Sequence, residues 1–189
     1  MKLAALHLRQ RDGVSCGPAV AVVAGALVDP AYRARLTSGR DGMAGRAWFD
    51  WEQGRVHGAA NMVWPRRLGT TPMGLARAIG VHSARYGVRY RWRLRWRRGD
   101  DLADVLAAVD AQWPVAMLVG NLIPRHWVLL VERDLEADPG VVRCYEPSSG
   151  QVRKIELAAI RGAALTNIGF PRAFAFVLPR ARKPISQKA

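Results

Sequence analysis

At 189 residues the chain is long enough for one compact domain burying roughly 70% of its unfolded surface, and short for two. Half of its residues are apolar, which excludes a disordered polymer, and no uninterrupted apolar stretch approaches 18 residues, which argues against a membrane-spanning helix. The net charge of +14 rests on 25 arginines and four lysines, and it reads either as a solvated arginine-rich coat or as a surface for an acidic partner.

The first ten residues hold too short an apolar run for a signal peptide and no small-residue cleavage site. Two cysteines, Cys16 and Cys144, are too few for a disulfide framework. Both observations point to a cytoplasmic protein. Residues 1–179 are expected to form a single domain and 180–189 a basic, disordered tail. Residues 3–8 alternate loosely and predict a short edge strand, followed by a loop over 9–15 marked by Asp12-Gly13. From Cys16 an apolar run predicts a buried helix with Ser15 as its N-cap and Pro18 tolerated in its first turn. The valines in that run leave a strand open, and Asp29-Pro30 stops it.

Residues 37–71 carry six glycines together with Trp48, Phe49, Trp51 and Trp64. A segment of that length has either a function or secondary structure of its own, and it is expected to shape a substrate cleft. Thr71-Pro72 predicts a helix start, closed by Gly80. In residues 86–97, Tyr86, Val88, Tyr90, Trp92, Leu94 and Trp96 alternate with arginines, which predicts a strand. The arginines occupy the face opposite the aromatics, whereas a nucleic-acid platform needs both on one face. An acid-paired or solvated edge is therefore expected rather than a nucleic-acid interface. Asp100-Asp101 opens a helix whose Leu102, Val105, Leu106 and Val109 share a face. Strands follow at 115–119, 126–132, 141–146, 151–155 and 173–178. Helices concentrated in the first half and antiparallel strands in the second define an α+β protein.

Four residues carry chemistry. Cys16 at a helix start places its sulfur at the positive end of the macrodipole, where a thiolate is stabilised. A thiol nucleophile also needs a base, and His126 alone among the four histidines opens an apolar strand at a break in the chain. Glu146 ends the expected hairpin partner of that strand, where a carboxylate can orient the imidazole. Gln10 offers a side-chain N–H to a developing oxyanion, with the Cys16 backbone N–H as second donor. Each residue also has a plainer reading: a packed cysteine, a core histidine, a turn acid, a loop glutamine. Cys144 reads as core packing, with a redox approach to Cys16 as the alternative. No histidine and cysteine set has metal-ligand spacing, and no cofactor is expected.

Gln10…Cys16-Gly17-Pro18-Ala19, then His126-Trp127-Val128-Leu129-Leu130, then Tyr145-Glu146-Pro147-Ser148-Ser149-Gly150, resembles the papain-like cysteine peptidases. Within that superfamily it is most similar to the C39-type, bacteriocin-processing-like peptidases. The resemblance covers roughly residues 8–157 in the same order. It implies a papain-like fold with a nucleophile helix packed on an antiparallel sheet, a Cys16–His126 pair oriented by residue 146, and Gln10 in the oxyanion hole. The expected activity is hydrolysis of a peptide or isopeptide amide in a peptide or protein substrate. Trp48, Trp51, Trp64 and Trp127 are the expected substrate-binding residues, with Trp127 either shielding the His126–Glu146 bond or packing in the core. The family usually has Asp where this chain has Glu146, so the longer acid must be set back. Transglutaminase-like acyl transfer on the same residues, and a catalytically inactive basic module for nucleic acid or acidic proteins, are the alternatives.

Overall fold

The computed structural model describes residues 3–38, 43–61, 65, 67, 69–95, 100–134 and 138–180. Trp64, Trp96 and the tail beyond residue 180 lie outside them. The described chain is α+β, with helices on both faces of a six-stranded antiparallel sheet. No described helix is long and apolar enough to cross a membrane.

Leu3–Leu6 forms α1, one helical turn where a strand was expected. Leu3 is buried and Leu6 packs beside it on the core, as three-residue spacing on a helix requires, and His7 at φ 45° then redirects the chain. Cys16–Val28 is α2, buried along nearly its whole length. Ser15 does not cap it: its hydroxyl accepts from Asp12 N at 3.0 Å and so closes the preceding loop instead. Asp29 ends α2 and caps α3 (Pro30–Leu36), its carboxylate accepting from Ala31 N and Tyr32 N.

The glycine-rich segment contains α4 (Met43–Ala60). Glycine costs helix stability, yet here it permits close approach. A Cβ on Gly45 would collide with the Leu36 carbonyl, and one on Gly54 would lie 2.7 Å from the Arg11 guanidinium. Thr71 caps α5 (Pro72–Ser83), which runs past Gly80 because that residue keeps a negative φ and ordinary helical geometry.

The long strand expected over 86–97 is shorter. A 3-10 turn at Ala84–Tyr86 and Gly87 at φ 69° delay β1 to Arg89–Leu94. Its two faces have different surroundings. Among the described residues β1 is an edge strand paired only with β6 (Arg172–Arg180), and α5 covers it at Tyr90, while Trp92 and Leu94 are 45% and 62% exposed. On the other face Arg93 lies over the Phe176 ring, centred 5.0 Å away, and is shared between Asp100 and Asp104 at 2.7 Å each. This is the acid-paired edge the alternation predicted. Asp100 and Asp101 precede and open α6 (Ala103–Asp110), with Asp100 Oδ1 accepting from Leu102 N and Asp101 Oδ1 from Ala103 N.

The strands β2 (Val115–Gly120), β3 (Pro124–Asp134), β4 (Asp138–Glu146) and β5 (Gln151–Glu156) follow, then α7 (Leu157–Gly162) and β6. The sheet order is β1-β6-β2-β3-β4-β5. One core lies between α2, α4, α5 and the sheet, and includes Cys16, Trp127, Leu129 and Tyr145. A second lies under α6 and α7 on the opposite face, and includes Val128, Leu130, Val142 and Cys144. The sheet thus separates the two cysteines, both of which are free. Cys144 is fully buried packing, and burial pushes its thiol up out of the nucleophilic range.

Candidate active site

Pairing brings the strand residues together first. Val119 lies opposite His126 on β3, and Leu129 and Leu130 lie opposite Tyr145 and Cys144 on β4. Extending that register sets Glu146 beside Val128, diagonal to His126. A diagonal pair is within reach of a long side chain, and the extra methylene of glutamate spans it: His126 Nε2–H donates to Glu146 Oε1 at 2.8 Å. Both residues are buried.

The carboxylate is fixed from its other side by the β4–β5 turn. Ser148 N donates to Oε1 at 2.8 Å, while Ser149 N and Ser149 Oγ donate to Oε2 at 2.9 and 2.7 Å. Burial opposes the charge, but the bond from His126 and those from Ser149 and Ser148 prevail and hold Glu146 well below the usual carboxylate range. For His126, burial also opposes the charge. Hydrogen bonding and attraction to the Cys16 sulfur and the Glu146 carboxylate overcome it and raise the imidazole to about 9. With Nε2 held by Glu146, Nδ1 is the ring nitrogen left for the sulfur. Phe170 stacks on the imidazole, its centroid 5.3 Å away at 25°.

Cys16 is buried at the first residue of α2, where geometry leaves its backbone N–H without an intrahelical acceptor. The adjoining Gly17 is required by packing, because a Cβ there would lie 2.6 Å from Thr70 Cβ. Trp127 closes the same corner: its indole donates to the Thr70 carbonyl at 2.9 Å, and the side chain is buried in the core that holds Cys16.

The Gln10 loop is fastened at both ends. On one side Gln53 of α4 accepts from Arg11 N at 3.1 Å. On the other, Gln10 N donates to Pro147 O at 2.8 Å, Arg9 Nε to Ser148 O at 3.0 Å, and Ser148 Oγ to Gln10 Oε1 at 3.3 Å. Gln10 Nε2 donates to Asp12 O at 2.7 Å. That bond uses one of its two N–H groups and sets the amide plane, so the other remains a donor. The turn that orients Glu146 therefore also carries the Gln10 loop. Gly150 makes this possible, with φ 69° and no room for a Cβ, which would lie 2.8 Å from Leu8 O. Gly150→Ala should lower stability by about 1–3 kcal/mol, checked by chemical denaturation. A side chain at that point also forces the Gln10 loop off the turn.

Trp48 and Trp51 stand elsewhere. They line a cleft of about 410 Å³ between α3, α4 and α5, with Tyr32, Arg35 and Glu52, and none of Cys16, His126 or Glu146 lines it. Among the described residues no group of three or more His, Cys, Asp or Glu side chains converges to hold a metal ion. Sequence reasoning passed over two contributors. The serines of Glu146-Pro147-Ser148-Ser149 carried a signal, since small hydroxyl residues two and three positions after an acid bond back to it. The stacking of Phe170, 44 residues from His126, carried none.

No protein-family model, curated protein or solved structure matches the chain.

Proposed function

We propose that the protein is a cysteine hydrolase of the papain-like, C39-like type that cleaves a peptide or isopeptide amide bond. The observation that carries this reading is the buried His126–Glu146 hydrogen bond, with the other side of the imidazole turned to Cys16 at the start of α2. An antiparallel sheet supplying base and acid from neighbouring strands, with the nucleophile helix packed against it, supports the papain-like description.

In this mechanism Cys16 Sγ attacks the carbonyl carbon, and the oxyanion is met by the Cys16 N–H and the remaining N–H of Gln10 Nε2. His126 gives its proton to the amine nitrogen as the C–N bond breaks, leaving a thioester. Water, deprotonated by His126, then attacks the thioester and releases the acid. Acyl transfer differs only in that a second amine takes the place of water.

Iodoacetamide labelling tests the reading. One label is expected at Cys16 and none at Cys144, with the rate near neutral pH falling about 100-fold in His126→Ala. Equal labelling of wild type and His126→Ala would refute the pair. Salt-sensitive DNA binding that survives Cys16→Ala would favour the binding module instead.

A further inference from the structure

The end of the β2–β3 hairpin presents two adjacent apolar side chains to solvent: Leu122, 83% exposed, and Ile123, 55% exposed. Their placement is built. The pairing of β2 shifts register at Val119/Gly120 against β3 and at Leu118/Val119 against β6, and bulges of this kind re-aim side chains beside active sites. The tip folds down on Gly120 so closely that a Cβ there would collide with the Ile123 carbonyl oxygen. Three residues after Ile123, at the start of β3, comes His126, with the Phe170 ring stacked on it.

We infer that Leu122 and Ile123, with Phe170, form an apolar subsite for the leaving-amine side of the substrate, so that the bond preferred is one followed by a bulky apolar residue. The inference rests on the hydrolase reading and follows from its proton transfer. The scissile nitrogen must come within hydrogen-bond reach of His126 to take its proton. The substituent on that nitrogen is then carried past the strand bearing the imidazole. Three residues of strand span about 10 Å, the reach of one amino-acid residue with its side chain. Burying two exposed aliphatic side chains against that substituent supplies the preference.

By microscopic reversibility, an amine that intercepts the acyl-enzyme occupies the same subsite as a departing one. The test acylates Cys16 with p-nitrophenyl acetate and lets leucinamide, glycinamide and aspartic acid amide compete with water for the thioester. Capture is read as a ratio between amines within each enzyme, so changes in the acylation step drop out. Leucinamide should be captured about tenfold better than glycinamide by wild type and by Leu122→Met, and no more than about twofold better by Leu122→Ser/Ile123→Ser. Equal capture of leucinamide and glycinamide by wild type, capture of no amine at all, or a preference that survives the double serine variant each overturns the subsite. No acylation of Cys16 in wild type overturns the hydrolase reading itself.

Discussion

Cys16→Ser should fold like the wild type and fall to the background rate of p-nitrophenyl acetate hydrolysis, a loss on the order of 10³-fold or more. The substitution keeps a small, buried side chain at the start of α2, so unfolding curves should nearly coincide. What changes is charge. A serine oxygen stays protonated, so His126 loses one of the two groups that raise it to about 9. Its imidazole resonances should titrate at a lower midpoint in the variant, which separates loss of the pair from loss of the fold. The sign of the linked stability follows. His126 is raised from 6.5, so its contribution is complete below that pH and is lost as pH climbs toward 9. The decline across that window should be steeper in wild type than in Cys16→Ser. An unchanged turnover in the serine variant would end the thioester mechanism.

Glu146→Gln should slow turnover by about 100-fold, less than His126→Ala, and should also weaken the fold. Each carboxylate oxygen accepts a backbone N–H, from Ser148 on Oε1 and from Ser149 on Oε2. A glutamine therefore has to set its own NH₂ against one of those donors, at about 1–3 kcal/mol. Glu146 is depressed below its ordinary value of 4.5, so its contribution is present above that pH and declines as the solution is acidified below it. Denaturation at pH 7 and pH 3 checks both statements. The gap between wild type and variant should be wide at the first and narrower at the second, and a gap independent of pH would contradict the assignment of charge to Glu146.

Much of this architecture was legible because the signals are local. The Asp29-Pro30 stop, the Thr71 cap and the β-rich second half all follow from turn and capping chemistry. Cys16, His126 and Glu146 were legible by residue type and chain order. Where reading failed, a tertiary neighbour decided. In helix α4, Gly45 and Gly54 let Leu36 and Arg11 approach closely, a tertiary use of glycine that propensity does not see. Ser15 had the right chemistry for a cap, yet its hydroxyl was claimed by Asp12. Alternation located β1 and set its arginines opposite its aromatics, but nothing in a single strand says how far α5 extends over the aromatic side, where Trp92 and Leu94 stay exposed. The diagonal register that makes a glutamate suit His126 is a property of two strands together. So is the double attachment of the Gln10 loop and the carboxylate to one turn.

That attachment has a consequence for biosynthesis. The bonds that link Ser148 with Arg9 and with Gln10 join positions 139 and 138 residues apart, and such contacts are made late and slowly. A ribosome delivers Cys16 long before the turn that must receive its neighbouring loop. The thiol therefore passes most of translation without the acid or the imidazole. A nascent chain that has not yet extruded residue 150 lacks the closed turn that holds both the Glu146 carboxylate and the Gln10 loop, so under the proposed mechanism Cys16 stays without its completed site until the second half of the sheet is made.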